Sequence, residues 1–380
     1  MDFFTDDHKL LRDTVRDFAI NEVAPIASEI DENERFPVET VKKMNDLGLL
    51  GIPFSPEYGG SGMDYISYII AVHELAKVCV STSITLAAHI SLGVAPIYYF
   101  GNEEQKKKYL PPLTSGGKLA SFGLTEPNAG SDASAARTAA LKDGDDYIIN
   151  GSKNFITNAG FAETFVILAS TGQKNGKNEL TNFIVEKDTP GLIIGPPEKK
   201  MGWRGSDTRA MTFENMRVRS DSILGNIGEG FKQFMQILDA GRISIAALSL
   251  GLAEGVYELS MKYANERKAF GKNIYEFQGI SFKLADMATR IEAAKLLVFN
   301  AARMRDEGKN IIKVSAMAKL FSSELAMWAA GEAIQVHGGY GYLKDFPVER
   351  FYRDAKVCEI GEGTSEIQRV IIAREILKEL

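Results

Sequence analysis

Hydrophobic periodicity changes twice along this 380-residue chain, and those changes confine it to a helical, then β, then helical order. Thr5 followed by Asp6 and Asp7 has the composition of a helix cap with an acidic first turn, and Leu11, Val15, Phe18 and Ala19 recur at helical spacing. The pattern runs through V-K-K-M-N-D-L-G-L-L-G to Pro53 and breaks at S-P-E-Y-G-G-S-G. It resumes in a longer apolar stretch from Tyr65 to Ala76 and on to Phe100. From Leu119 to about Leu224, short apolar runs (Y-I-I-N, F-V-I-L-A, N-F-I-V-E) alternate with D-G-D-D, Q-K-N-G-K-N and T-P-G, the texture of a small barrel or sandwich. Helical spacing returns at Gly230. Ile280, Leu284, Met287, Ile291, Ala294, Val298 and Ala301 alternate steps of four and three, the seam of a long bundle helix that Gly308 ends.

Composition narrows the function classes. With 45% hydrophobic and 25% charged residues the chain can bury substantial cores, and a net charge of -6 gives no basic footprint for nucleic acid or anionic membranes. Cys79 and Cys358 lie far apart, and four His complete a set with no zinc-like spacing, so both thiols are expected free and no metal is assigned. No apolar run approaches the ~18 residues that span a bilayer. The acidic M-D-F-F-T-D-D-H-K start differs from a secretory or mitochondrial leader, which predicts a cytoplasmic, bacterial setting.

The stretch Y-R-D-A-K-V-C-E-I-G-E-G-T-S-E-I-Q-R from Tyr352 to Arg369 concentrates the chemistry. Ser365 with Gln368 three residues on is a helix-start signal, and just before it Glu362 stands between Gly361 and Gly363. Glycines there let the backbone pass close to something bulky while Glu362 projects from the turn; a solvated turn carboxylate is the plain alternative. Over Y-R-D-A-K and E-G-T-S-E-I-Q-R the chain resembles the acyl-CoA dehydrogenase family, and the likeness runs from about Phe3 to the end. It is closest to the short-chain, butyryl-CoA branch. The resemblance implies an α+β fold: an N-terminal all-α domain (1–118), a middle β-barrel or sandwich (119–229) and a C-terminal four-helix bundle (230–380). It also implies FAD as cofactor and Glu362 as the base that removes the α-proton of an acyl thioester.

The same resemblance assigns the remaining residues. Phe122, Leu124, Thr125, Gly130 and Ser131, in F-G-L-T-E-P-N-A-G-S-D, would wrap the flavin, with Ser131 also near the CoA chain. Read alone, that loop matches neither G-x-G-x-x-G nor a P-loop and could be a plain turn. Phe155, Ile156 and Thr157 would shield the flavin and reach its N5, although Phe155 could equally be β-core. Arg267, Phe270, Gln278, Gln335, Val336, Gly338 and Gly339 would contact the FAD of a neighbouring subunit, with His337 a loop residue near the cofactor; Arg267 alone could be a solvated charge. Thr364 and Glu366 complete the cofactor set, and Asp239, Gly241, Arg242, Gly361 and Gly363 would line the acyl-CoA channel. D-A-G-R is read as the opening of a bundle helix, with Arg242 in a surface ion pair as the plain alternative. Isovaleryl-type and long-chain-type relatives carry their base where this chain has Gly241, which cannot act as one.

The reaction implied is abstraction of the α-proton by Glu362 with transfer of a β-hydride to flavin N5, yielding a trans-2-enoyl-CoA. Closure of substrate and flavin would dehydrate the carboxylate and strengthen it as a base. Electrons would pass to an electron-transferring flavoprotein, and sites completed by a second chain imply a homotetramer, a dimer of dimers. Many relatives have Tyr where this chain has Gly361, which predicts tolerance of branched, cyclic or aryl groups near the β-carbon. The competing readings are an acyl-CoA oxidase or a nitroalkane-oxidase-like enzyme on the same fold, and a non-catalytic scaffold, whose preparation would be colourless and take up no FAD.

Overall fold

A computed structural model describes residues 4–174 and 176–380. Residues 1–3, where the resemblance begins, and residue 175, in the Q-K-N-G-K-N turn, lie outside the described residues. Seven helices come first: α1 (Asp6–Phe18), α2 (Ala27–Glu32), α3 (Val38–Asp46), α4 (Tyr65–Ala76), α5 (Val80–Ala88), α6 (Ala95–Phe100) and α7 (Glu103–Thr114). Thr5 caps α1 as expected, accepting from the His8 N–H at 3.3 Å while the His8 ring accepts from the Thr5 N–H at 3.1 Å. The other ring nitrogen of His8 lies 2.8 Å from Asp64, whose carboxylate caps α4 through the Ser67 N–H, so the two helix starts are tied together.

Eight strands follow: β1 (Leu119–Gly123), β2 (Ala139–Asp143), β3 (Asp146–Thr157), β4 (Ala162–Lys174), β5 (Lys177–Glu186), β6 (Leu192–Pro197), β7 (Thr208–Arg219) and β8 (Ile223–Leu224). They form one sheet in the order β6-β7-β3-β2-β4-β5-β8, with β1 added in parallel to β4. Its inward side chains, among them Tyr147, Ile149, Phe165, Phe183, Met211 and Phe213, make a separate β core.

The C-terminal bundle contains α8 (Gly230–Glu266), then a small ribbon of β9 (Lys268–Ala269) and β10 (Lys272–Asn273), then α9 (Gln278–Asp306), α10 (Ile312–His337), α11 (Val348–Cys358) and α12 (Ser365–Leu377). Helix α10 packs against α8, α9, α11 and α12. The predicted seam of α9 is inward: Leu284, Met287, Ile291, Ala294, Val298 and Ala301 are buried, with Ile280 at its edge. Helix α8 also packs on α4, and one apolar core runs continuously through both helical regions. At that contact a β-carbon on Gly251 would lie 2.3 Å from the His73 carbonyl oxygen, so only glycine permits the approach.

Several local expectations are corrected. Helix α12 is capped by Thr364, whose hydroxyl accepts from the Ile367 N–H at 3.3 Å, and Ser365 is its first residue rather than its cap. Asp239–Ala240–Gly241–Arg242 does not open a helix, because α8 begins at Gly230. Arg267 lies just past the end of α8, and His337 is the last residue of α10 rather than a loop residue. Two helical segments do reach membrane-spanning length and hydropathy, Val80–Phe100 and Gly230–Glu266; 94% and 78% of their apolar windows are buried inside the protein, which accounts for their composition as core. Cys79 and Cys358 are free and fully buried.

Candidate active site

After α11 the backbone turns sharply through Glu359 to Gly363, closed by Gly361 N–H to Val357 C=O at 2.8 Å and Ser365 N–H to Glu359 C=O at 2.9 Å. Glu362 takes φ +52° and Gly363 φ +94°, left-handed values that cost a non-glycine residue energy unless the surroundings impose them. Lys319 from α10 and Gln368 from α12 impose them here: both donate to the Gly363 carbonyl at 2.8 Å, and both are fully buried. The turn thereby directs the Glu362 side chain inward against α8, with Oε2 so close to Gly241 that a β-carbon there would lie 2.4 Å away.

Both Glu362 carboxylate oxygens are buried, and neither has a hydrogen-bond partner among the described residues. Burial raises this carboxyl from its ordinary value near 4.5 to about 7, against the opposing charges of Lys319 and Arg242. The side chain is therefore turned into the protein and is not a solvated turn carboxylate. Arg242 is likewise no surface residue: it is buried and ion-paired with Asp239 one turn earlier on α8. Beside them, Tyr65 donates to the Ala240 carbonyl at 2.8 Å and, with Ile90, Ser91, Ile237 and Arg305, lines a cavity of about 10 Å³. Sequence reasoning missed this cavity, whose residues come from helices far apart in the chain.

The Y-R-D-A-K stretch acts as a brace. Asp354 accepts from the Trp203 N–H at 2.6 Å, and Arg353 pairs with Asp31 at 2.7 Å and Glu349 at 2.8 Å, joining α11 to α2 and the β6–β7 connection.

The loop after β1 is brought against β3. Asn154 N–H donates to Thr125 C=O at 2.8 Å, the Ser121 hydroxyl donates to Thr157 C=O at 2.8 Å, and Phe122 packs on Phe234 of α8 with ring centroids 3.7 Å apart. The residues that hold it are two the sequence reading passed over. Glu126 and Lys153 form a buried pair at 2.7 Å; Lys153 also donates to Leu124 C=O at 3.2 Å, and Glu126 accepts from the backbone N–H groups of Arg137 and Thr138. A signal existed: Tyr147, Ile149 and Lys153 share the inward-facing parity of β3. Phe155 is 66% exposed at φ +60°, so it is not β-core, whereas Ile156 turns inward into that core. Gly130 and Ser131 are exposed at the loop tip.

The remaining predicted residues gather elsewhere. A cleft of about 630 Å³ is lined by Arg267, Phe270, Val336, Gly338 and Gly339 together with Tyr263, His337 and Tyr340. Phe270 is 96% exposed, and the Arg267 guanidinium stands 5.5 Å from the Tyr340 ring. Gln278 and Gln335 are exposed but do not line the cleft, which shares no residue with the Glu362 turn or the β1–β3 contact. Thr364 serves as a helix cap, and Glu366 is exposed in the first turn of α12.

Comparisons with known proteins cover nearly the whole chain. Sequence models of the N-terminal, middle and C-terminal domains of acyl-CoA dehydrogenase match residues 5–117, 121–216 and 228–377. The chain is 51% identical over 379 residues to the short-chain-specific acyl-CoA dehydrogenase of Clostridium acetobutylicum, covering 100% of both. It superposes on butyryl-CoA dehydrogenase from Megasphaera elsdenii with a TM-score of 0.97 at 44% identity, covering 99% of this chain and 100% of that one. An acyl-CoA dehydrogenase from Bacillus anthracis complexed with FAD matches with a TM-score of 0.92 at 36% identity, covering 99% and 69%.

Proposed function

Because this chain belongs to the acyl-CoA dehydrogenase family, we propose that it dehydrogenates a short-chain acyl-CoA between its α and β carbons, with Glu362 as the base and FAD as cofactor. The observation that carries this reading is the buried, unpartnered carboxylate of Glu362, raised to about 7 and aimed across α8 rather than at solvent. A carboxyl near neutrality can hold or release a proton at the working pH, and its free oxygens leave room for a C–H donor. The Glu362 N–H makes no hydrogen bond among the described residues and is the donor we assign to the thioester carbonyl, where it would stabilise the oxygen as negative charge develops.

The chain also fits the cofactor. Exposed Phe155, with the Thr125 and Thr157 backbone beside it, offers a flat apolar face for a ring system, and Ile156 supports that face from the core. Arg267 and the open Gly338-Gly339 backbone suit a diphosphate and its nucleoside. When bound, FAD would supply the acceptor for the β-hydride. Because the cleft and the base lie apart on one chain, we take the working assembly to be the homotetramer, with each cleft serving a neighbour, and the electron acceptor to be an electron-transferring flavoprotein. The domains would divide near residues 118 and 229. The likeness to a short-chain-specific relative favours a short acyl chain, while Gly361 leaves lateral room for branching.

Changing Glu362→Gln is expected to lower turnover of butyryl-CoA by at least about a thousandfold while the purified protein keeps its flavin colour. Turnover retained in a yellow Glu362→Gln enzyme would overturn the assignment.

A further inference from the structure

Lys319 is fully buried on α10, and its one hydrogen bond among the described residues is to the Gly363 carbonyl at 2.8 Å. Its ammonium makes no ion pair with any described carboxylate. It nonetheless faces Glu362 closely enough that each charge acts on the other. A buried cation and a buried carboxylate that face each other without contact differ from a buried salt bridge, where hydrogen bonding occupies the carboxylate and weakens it as a base.

We propose that Lys319 is a positioning residue for the base: its hydrogen bond fixes the turn that carries Glu362, and its charge, held back from contact, favours the ionised carboxylate while leaving both oxygens free. This rests on Glu362 being the base. The other groups that face the carboxylate do not duplicate the effect. Arg242 on α8 also acts on Glu362, but its guanidinium is tied to a carboxylate of its own, Asp239. Tyr65 and Tyr68 on α4 are phenols that burial keeps neutral. Cys358 at the end of α11, which faces Lys319, is a thiol pushed up to about 12 by burial, and Glu359 next to it pairs with Lys356. Of the two cations that act on Glu362, Lys319 is thus the one with no ion-pair partner among the described residues. Burial lowers Lys319 itself to about 8, with Cys358, Glu362 and Glu359 opposing and Arg242 assisting, so its charge persists through neutrality and fades in alkali.

The test compares Lys319→Met, which removes hydrogen bond and charge, Lys319→Gln, which removes the charge but keeps a donor, and Gln368→Leu, which removes a neutral donor to the same carbonyl. Each holoenzyme is assayed for the pH dependence of kcat/KM. The Glu362 carboxyl is titrated by infrared difference spectroscopy on ¹³C-glutamate-labelled protein against Glu362→Gln, without substrate. Both Lys319 variants are expected to move the acidic limb and the infrared midpoint upward by roughly one pH unit, about a fivefold loss at pH 7 that alkali restores. Gln368→Leu is expected to lower kcat with the limb unmoved. A wild-type limb and midpoint in the Lys319 variants would reduce Lys319 to a prop for the turn. If neither variant folds, the wild-type titration decides: the carboxyl band must respond to a second group losing its proton near pH 8, and a single-site curve overturns the proposal. Turnover surviving in Glu362→Gln would instead sink the base assignment, leaving these outcomes distinguishable.

Discussion

Two glutamates with buried carboxylates in this protein show how surroundings assign a role to the same side chain. Glu126, in the loop after β1, accepts from Lys153 and two backbone N–H groups. Burial by itself would raise its pKa, but the Lys153 charge and these donors outweigh burial and hold it below the ordinary carboxylate range. Glu362 has no donor, and burial prevails over more distant charges, carrying it to about 7. One carboxylate is spent on holding two segments together; the other is kept chemically available. The contrast breaks most severely at Lys153. Lys153→Met would strand Glu126 as an unpaired buried charge, with an expected loss of about 3–5 kcal/mol in urea unfolding. The double variant Lys153→Met with Glu126→Gln should recover part of that loss. A single variant as stable as wild type would show that the pair is not a brace.

The two glutamates should also give opposite stability dependence on pH. Glu126, depressed in the folded state, contributes stability above its ordinary pKa and loses it as pH falls through the lowered value. Glu362 is raised, so its contribution is complete below about 4.5 and is lost as pH rises through about 7. Glu362→Gln should therefore gain on wild type between pH 5 and pH 8, by up to about 3 kcal/mol. Asp354, which burial also raises to about 7, titrates alike in both proteins and drops out of the difference. Unfolding curves offset equally at both pH values would contradict the burial argument.

Sequence made the architecture legible wherever periodicity governs. The α9 seam, the Thr5 cap and the switch from helical to alternating texture near Leu119 all appear as expected, because each depends on neighbours a few residues away. Local boundaries failed where two residues competed for one role: Thr364 and Ser365 both carry a cap hydroxyl, and only the closed turn before them selects Thr364. The polar interior was the least legible part. Lys153 and Lys319 are completely buried, against the usual exposure of lysine, and their partners are 27 and 44 residues away. Glu362 could be singled out from its flanking glycines, but its dehydration depends on α8, α10 and α12 closing around it.

The smallest expected effect concerns the space around the unpartnered carboxylate, which differs between its two glycine neighbours. At Gly241 a β-carbon would strike Glu362 Oε2 at 2.4 Å, so that wall is already formed by the base itself. At Gly361 a β-carbon would meet only the Val357 carbonyl oxygen at 3.4 Å, and the backbone there is not left-handed, so a larger side chain can be carried without strain in the turn. A tyrosine at 361 would then occupy space beside the carboxylate rather than displace it. Gly361→Tyr should leave butyryl-CoA turnover within about twofold and lower the ratio of branched to straight-chain kcat/KM by at least about fivefold, the size of discrimination that shape complementarity at an apolar wall provides. Measured on isovaleryl-CoA and butyryl-CoA with flavin bleaching as the signal, an unchanged ratio would mean that the lateral room at Gly361 is not where the acyl branch lies.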